Sequence, residues 1–263
     1  YMDIINKELW DTAKFSSVAA FVEVMGGQPI DRWKTNSQLH KNDRMPFIKL
    51  IRSGPRTLYA GLSTCLGYSC LFYFPSIYIL ENVWDKKYKK NDGYLDSLNK
   101  CLFVSSFIST GVSWFEGVKT DQQVNKLQNK NIFQITKKRY AQYRMTGIMP
   151  AYYSTFAREF CYCSGLLLLS PVIANKLETG NSYINHFVGG GIAGLISQSI
   201  SQPFDTIKTR QEKYKVTITD VIKYMRRNEN WLVLWNGGLA RCIRGIWSVS
   251  CMSLMHHCLQ NYW

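Results

Sequence analysis

Residues 202–208, QPFDTIK, decide the fold, because two related stretches stand earlier in the chain. These are QPIDRWK at residues 28–34 and SWFEGVK at residues 113–119. Each stretch has an acid three residues before a lysine, and the successive acids are 85 and 89 residues apart. Proline stands two residues before the acid in the outer copies, and tryptophan takes its place in the middle copy. Such regular spacing indicates three internal repeats.

A second marker keeps the same register. Gly61, Gly147 and Gly237 follow the three motif lysines by 27, 28 and 29 residues. Two markers in register over three copies favour one domain, residues 1–263, built from a threefold repeat. The predicted repeats are residues 1–93, 94–180 and 181–263.

Each repeat has the same coarse plan. An apolar stretch runs through the motif, at residues 11–38, 99–128 and 183–212. A short basic amphipathic segment follows, at residues 46–53, 131–139 and 219–228. A second apolar stretch begins near the glycine, at residues 58–83, 149–176 and 238–260. Because a helix needs about 20 residues to cross a bilayer, the pattern predicts an all-α membrane protein with six transmembrane helices.

Composition narrows the function. The formal charge is +14, and the basic residues lie between apolar segments, which is typical of positive loops in membrane proteins and not of a compact nucleic-acid-binding module. The eight cysteines form no pair of CxxC motifs, so we expect no metal site. The sequence shows no nucleophile–base arrangement and no phosphate loop, so we expect no enzyme. The amino-terminal residues do not resemble a secretory signal peptide.

The repeated motif resembles the signature of the mitochondrial carrier family, P-x-[DE]-x-x-[KR], and QPFDTIKTRQ at residues 202–211 comes very close to it. The resemblance spans nearly the whole chain. It implies a multi-pass protein of the mitochondrial inner membrane, with three pseudo-symmetric repeats and three short helices on the matrix side. It implies no cofactor.

The resemblance also implies a gate at the matrix end of the cavity. Proline inside a helix bends it, so the ends of the three motif helices would approach one axis. The acid of one repeat would then pair with the lysine of the next: Asp31 with Lys119, Glu116 with Lys208, and Asp205 with Lys34. Gln38 and Gln123, four residues beyond a motif lysine, match the glutamines that brace such pairs in the family; their alternative role is a solvated helix end.

Substrate contacts in the family lie seven residues beyond the repeat glycine. Those positions are Tyr68, Ser154 and Arg244 here, and Arg241 and Arg158 lie one turn away from two of them. An arginine in a membrane cavity matches a carboxylate or phosphate with its planar donors. The same arginines could instead satisfy acidic partners or backbone groups at the centre of the bundle.

Two further features depend on the resemblance. Gly61 and Gly237 stand in LYAG and LWNG, which resemble family sites for cardiolipin as a bound lipid. Backbone amides at a helix start suit a phosphate, although both glycines could simply begin helices.

The outer end departs from the family. The acid–base positions expected there hold Glu81/Trp84, Leu167/Ser170 and His257/Gln260, and only Glu81 has the usual residue type. Two functions therefore stay open. One is transport of a small anionic metabolite by alternating access. The other is a transport-impaired carrier fold that serves as an accessory subunit of a large inner-membrane respiratory complex.

Overall fold

The structure is a computed structural model. It describes residues 2–38, 47–52, 54–55, 59, 62–88, 93–124, 131–148 and 151–262. Within these residues the regular structure is helical, and no strand occurs. Helices lie on each of the predicted stretches, and their bounds differ from the expected ones by a few residues up to nine.

The first repeat contains α1 (Met2–Gln38), α2 (Phe47–Arg52), α3 (Leu62–Tyr68) and α4 (Phe74–Tyr88). A π-helical turn at Ser69–Tyr73 joins α3 to α4, so the two helices form one rod. α1 begins nine residues earlier than the predicted stretch, and Pro29 lies inside it without ending it.

The second repeat contains α5 (Tyr94–Val124), α6 (Ile132–Ile148), α7 (Tyr152–Cys163) and α8 (Ser170–Lys176). A π-helical turn at Ser164–Leu169 joins α7 to α8. The short helix α6 was expected to end at residue 139, but it continues because no proline interrupts it before Pro150. Gly147 therefore lies in the last turn of α6 and does not begin the next helix.

The third repeat contains α9 (Ser182–Tyr214), α10 (Ile218–Asn228), a 3₁₀ turn (Trp231–Trp235) and α11 (Gly238–Tyr262). The side chain of Asn181 accepts hydrogen bonds from the first amides of α9, and the side chain of Thr217 does so for α10. These caps satisfy amides that a helix start leaves without partners. Lys215, in the left-handed conformation with φ 56°, ends α9.

The two π-helical turns have a common cause. Each is followed by a proline at the second position of the next helix, Pro75 in α4 and Pro171 in α8. Proline has no amide hydrogen, and its ring crowds the carbonyl one turn earlier. Widening the preceding turn relieves that crowding, and the rod continues with one additional residue in its path.

The helices enclose a mixed core. Apolar side chains from four rods meet in one buried cluster that includes Ile77, Ile108, Leu166 and Met252. α9 and α11 pack most closely, because Gly194 lies against the backbone of Gly245 and an added Cβ would come within 2.5 Å of the Gly245 carbonyl oxygen. Small residues that let helix backbones approach are typical of helix pairs in membranes.

Three rods of the described residues are long and apolar enough to cross a membrane: Leu62–Asp85, Tyr94–Asp121 and Tyr152–Lys176. α1, α9 and α11 are not among them. α9 illustrates the reason, because serine, glutamine and glycine make up much of its length and lower its mean hydropathy. Apolar residues such as Ile192, Leu195 and Ile200 nevertheless form an exposed face on α9.

Candidate functional site

The three motif lysines each contact an acid of another repeat. The Nζ atom of Lys119 lies 2.7 Å from Oδ2 of Asp31, and that of Lys34 lies 3.0 Å from Oδ2 of Asp205. Lys208 contacts Glu116. The structure thus brings together the three pairs expected from the repeat. We call these six residues the acid–lysine ring: Asp31, Lys34, Glu116, Lys119, Asp205 and Lys208.

Polar side chains next to this ring support it through hydrogen bonds. Gln38 donates from Nε2 to Asp205 at 2.5 Å, and its Oε1 accepts from Thr209 at 2.7 Å. Glu212 lies 3.7 Å from the Lys208 ammonium and accepts from Thr120 at 2.6 Å. Gln38 therefore lies against the ring as a bracing residue would. The side chain of Gln123 falls outside the described part of the chain.

A cavity of about 120 Å³ lies beside the ring. Its walls include Tyr68, Tyr73 and the three predicted arginines, Arg158, Arg241 and Arg244. They also include two acids that were not among the predicted site residues, Glu23 and Glu159. These buried acids are the feature that the repeat pattern alone could not reveal, because they have no counterpart in the other repeats.

The arginines are all engaged by acids. Arg158 contacts Glu159, lies 2.8 Å from Glu116 and 3.4 Å from Asp205. Arg241 lies 2.5 Å from Asp205 and donates to Ser201 at 2.7 Å. Each guanidinium group therefore has a charged partner, as a buried charge requires.

Arg244, one turn beyond Arg241 on α11, follows the same rule. It contacts Glu23 of α1 and lies 3.4 Å from Asp31 of the ring. The indole of Trp247 donates to the Glu23 carbonyl at 3.1 Å. An anion that binds any of these arginines must compete with a carboxylate that is already in place.

The remaining two predicted contacts differ from each other. Tyr68 lines the cavity, its side chain is buried, and its hydroxyl has no hydrogen-bond partner among the described residues. Ser154 does not line the cavity and donates to Gln211 at 2.7 Å. Tyr73, which was not predicted, reaches the cavity and donates to Glu159 at 2.6 Å.

Comparison with known proteins bears on this geometry. The family model described as mitochondrial carrier protein matches residues 179–263. An uncharacterized mitochondrial carrier of Schizosaccharomyces pombe is 32% identical over 91 residues, which are 34% of this chain and 27% of that protein.

Two relatives match over most of their length. The mitoferrin of Dictyostelium discoideum is 24% identical over 253 residues, 88% of this chain and 80% of the relative. A probable mitochondrial 2-oxodicarboxylate carrier of S. pombe is 26% identical over 257 residues, 87% and 85% of the two chains. The chain thus covers about a quarter of the first relative and most of the other two.

These similarities support a divergent member of the mitochondrial carrier family. The S. pombe relative is named as a probable carrier.

The protein has a second ion cluster at the end of the helices away from the ring. Glu81 of α4 accepts from Nε2 of His256 on α11 at 3.1 Å and from Lys100 of α5 at 3.4 Å. Lys100 also lies 3.2 Å from Asp85. Of the acid–base positions expected at this end only Glu81 has the usual residue type, and its contacts with Lys100 and His256 were not predicted. The base that meets Glu81 is His256, not the adjacent His257.

The protein also has a charge-reversed pair in its second predicted repeat. In the third repeat, Arg210 of α9 lies 2.6 Å from Glu229, just beyond α10. In the second repeat, Asp121 stands two residues after the motif lysine. Its Oδ2 lies 2.6 Å from Nε of Arg139 on α6. The short helices α6 and α10 are therefore both tied to the motif helices, with the charges exchanged.

The two predicted lipid positions have different outcomes. Gly61 lies outside the described residues. Gly237 immediately precedes α11 with φ +78°, and an added Cβ would lie 3.2 Å from the Lys34 carbonyl oxygen. A positive φ and a crowded backbone both require glycine here.

Proposed function

We propose that this carrier moves a small, carboxylate-bearing anionic metabolite across the mitochondrial inner membrane by alternating access. In this proposal all six long rods cross the membrane, in three repeats at residues 1–93, 94–180 and 181–263. α2, α6 and α10 lie on the matrix side. The acid–lysine ring is the matrix gate, Gln38 and Gln123 brace it, and cardiolipin binds near Gly61 and Gly237.

One observation supports transport above the others. The cavity beside the closed ring contains a buried Tyr68 hydroxyl without a hydrogen-bond partner among the described residues, and three arginines surround the same space. A buried polar group left unpaired costs about 1–3 kcal/mol. A carboxylate that accepts from Tyr68 and from an arginine would remove that cost while it is bound.

The ring is suited to a gate because its ion pairs are partly buried between helices of different repeats. Breaking such a pair costs Coulomb energy but returns both charges to water, so the net change is small. A substrate that draws Arg158 or Arg244 away from its acids weakens the ring, since Arg158 also contacts Glu116 and Arg244 also contacts Asp31. Binding and gate opening are thereby linked.

The test is uptake into liposomes that contain the purified protein. Because two relatives are named as probable 2-oxodicarboxylate carriers, labelled 2-oxodicarboxylates are the first probe, followed by other small metabolites. We expect uptake that Arg244→Ala reduces at least tenfold. Arg226→Ala, on the exposed face of α10, is the matched control and should transport normally. Uptake that is equal in both variants would contradict the assigned site.

A second candidate is a carrier fold that no longer transports and serves as an accessory subunit of a respiratory complex. It is favoured by the internal pairing of all three cavity arginines and by a cavity of about 120 Å³, which is below the roughly 300–1,000 Å³ of most ligand pockets. Native electrophoresis of solubilised membranes separates the candidates. A carrier migrates as a small species, whereas a subunit migrates with a far larger assembly.

A further inference from the structure

We propose that the cluster opposite the ring is a proton-binding site, in which a proton on His256 fastens α11 to α4 and closes the outer end of the cavity. The cluster consists of Glu81, Asp85, Lys100 and His256. The proposal rests on the proposed carrier function only for its link to transport.

The cluster joins helices from all three repeats. Glu81 and Asp85 belong to α4 in the first, Lys100 to α5 in the second, and His256 to α11 in the third. Lys100 and Lys119 stand 19 residues apart on α5, which is about 28 Å along a helix. The cluster therefore lies far from the acid–lysine ring, at the other end of the same helix.

Charge balance identifies the ligand. The described cluster holds two carboxylates and one ammonium group, so it lacks one positive charge when His256 is neutral. The Glu81 side chain is only 8% exposed, so water screens its charge little, whereas Asp85 is 35% exposed. A proton on His256 neutralises the cluster and converts the bond to Glu81 into a charge-assisted one, which is roughly twice as strong.

The residues around His256 define where the proton binds. Tyr78 of α4 stacks on the imidazole, with ring centroids 5.5 Å apart, and donates to the Met252 carbonyl at 3.0 Å. On the neighbouring helix α9, His186 stacks with His257 at 4.0 Å and does not contact Glu81. Among the described residues, the acidic groups that face His256 are Glu81 and, through Lys100, Asp85.

Histidine is the side chain whose unperturbed charge changes between about pH 5 and pH 8. Ionisable groups placed within membrane helices often mark proton relays in transporters. Loading the site at lower pH would therefore hold the outer end closed, and unloading it would release α11 from α4. In a working carrier, this couples transport to the pH difference across the membrane.

Two residues of the chain allow a test: Cys65 reports access to the cavity, and His257 provides a control substitution. Cys65 lines the central cavity beside Lys119, so its reaction with a small, charged methanethiosulfonate reagent measures access to the cavity. His257 is adjacent to His256 but hydrogen-bonds to Ser182 at 2.9 Å. His257→Gln therefore removes a histidine at the same end of α11 without touching the cluster.

The experiment labels the full-length protein in liposomes at about pH 6 and about pH 8, and mass spectrometry reads the modification at Cys65. The ionisation of the Cys65 thiol affects all variants alike at one pH, so its effect cancels when variants are compared at that pH. We expect His256→Gln to react about fivefold faster than His257→Gln at the lower pH and equally fast at the higher pH. Fivefold corresponds to the roughly 1 kcal/mol by which a charge-assisted hydrogen bond exceeds a neutral one. His256→Arg should match His257→Gln at the lower pH and react more slowly at the higher pH.

A His256→Gln to His257→Gln ratio that does not change with pH overturns the proposal. So does a His256→Arg rate equal to that of His257→Gln at both pH values. Cys163 is fully buried in the core, and its labelling reveals any unfolded variant; if His256→Gln fails in this way, the His256→Arg comparison decides. Because labelling needs no substrate, a protein that passes this test but takes up no metabolite contradicts only the proposed transport.

Discussion

The pair of Asp121 and Arg139 allows a quantitative test of how the short helix α6 is held in place. Arg139 is 3% exposed. Its Nε donates to Asp121 at 2.6 Å, and its NH2 donates to the Gly117 carbonyl. Asp121 is also 3.0 Å from the Lys215 ammonium at the end of α9. One carboxylate thus offsets two cations from two different repeats.

Replacing Asp121 with asparagine leaves the buried guanidinium of Arg139 beside a second cation. Removing one partner of a buried ion pair costs about 3–5 kcal/mol. For a chain of this size, about 4 kcal/mol corresponds to a decrease of roughly 10 °C in the unfolding temperature. Arg139→Met should cost a similar amount, because it leaves the buried carboxylate of Asp121 with Lys215 as its main cation.

Thermal unfolding of the purified protein in detergent, followed with a thiol-reactive dye, measures these values. The double variant should lose about as much stability as one single variant, since residues that act as a pair are not additive. Lys137→Met, exposed on the same helix α6, should change the unfolding free energy by less than about 0.5 kcal/mol. If the double variant loses the full amount of both single changes, the two residues do not stabilise each other.

Two further predictions concern packing and the missing proline. Gly194→Ala should lower the unfolding free energy by about 2 kcal/mol or more, because its Cβ meets the Gly245 carbonyl. Gly67→Ala has open space around the added Cβ, so it should raise the unfolding free energy by up to about 1 kcal/mol through better helix propensity. Equal effects of the two substitutions in the same thermal assay would refute the close approach of Gly194 to Gly245. Trp114 donates a hydrogen bond to Thr136 at 3.1 Å. Trp114→Phe should therefore lower the unfolding free energy by about 1 kcal/mol. The double variant Trp114→Phe, Thr136→Val should lower it by no more in the same measurement.

The repeated motif was sufficient to predict the helix positions and the partners within the ring. Asp205 and Lys34 are far apart in sequence, yet threefold symmetry alone places them in contact. The pattern carries this information because the same three-residue spacing occurs in each copy. It says nothing about Glu23 or Glu159, which occur once each and neutralise the cavity arginines.

The failure at the outer end has a physical reason. Counting twenty residues from the repeat glycine gives Glu81 in the first repeat and His257 in the third. The second rod of the first repeat, however, contains a π-helical turn at Ser69–Tyr73, which uses one residue more than an α-helical turn. Glu81 is therefore level with a residue nineteen positions beyond the glycine of α11, which is His256.

The pair of Asp121 and Arg139 was missed for a different reason. In the third repeat the acid, Glu229, lies just beyond the short helix α10, and the base, Arg210, lies on the motif helix. In the second repeat the acid lies on the motif helix and the base lies on the matrix helix. Coulomb attraction is unchanged when both signs are exchanged, so a residue-type pattern loses an interaction that the fold keeps.

The glycine contacts between α9 and α11 have a mechanical consequence. Gly190 and Gly194 place the two helix backbones so close that neither can slide past the other without a clash. The third repeat should therefore move as one rigid body during any opening. The other two repeats contain π-helical turns within their second rods, where a helix bends most easily. Opening in this molecule would then be unequal among the repeats, with the first two swinging around a stationary third.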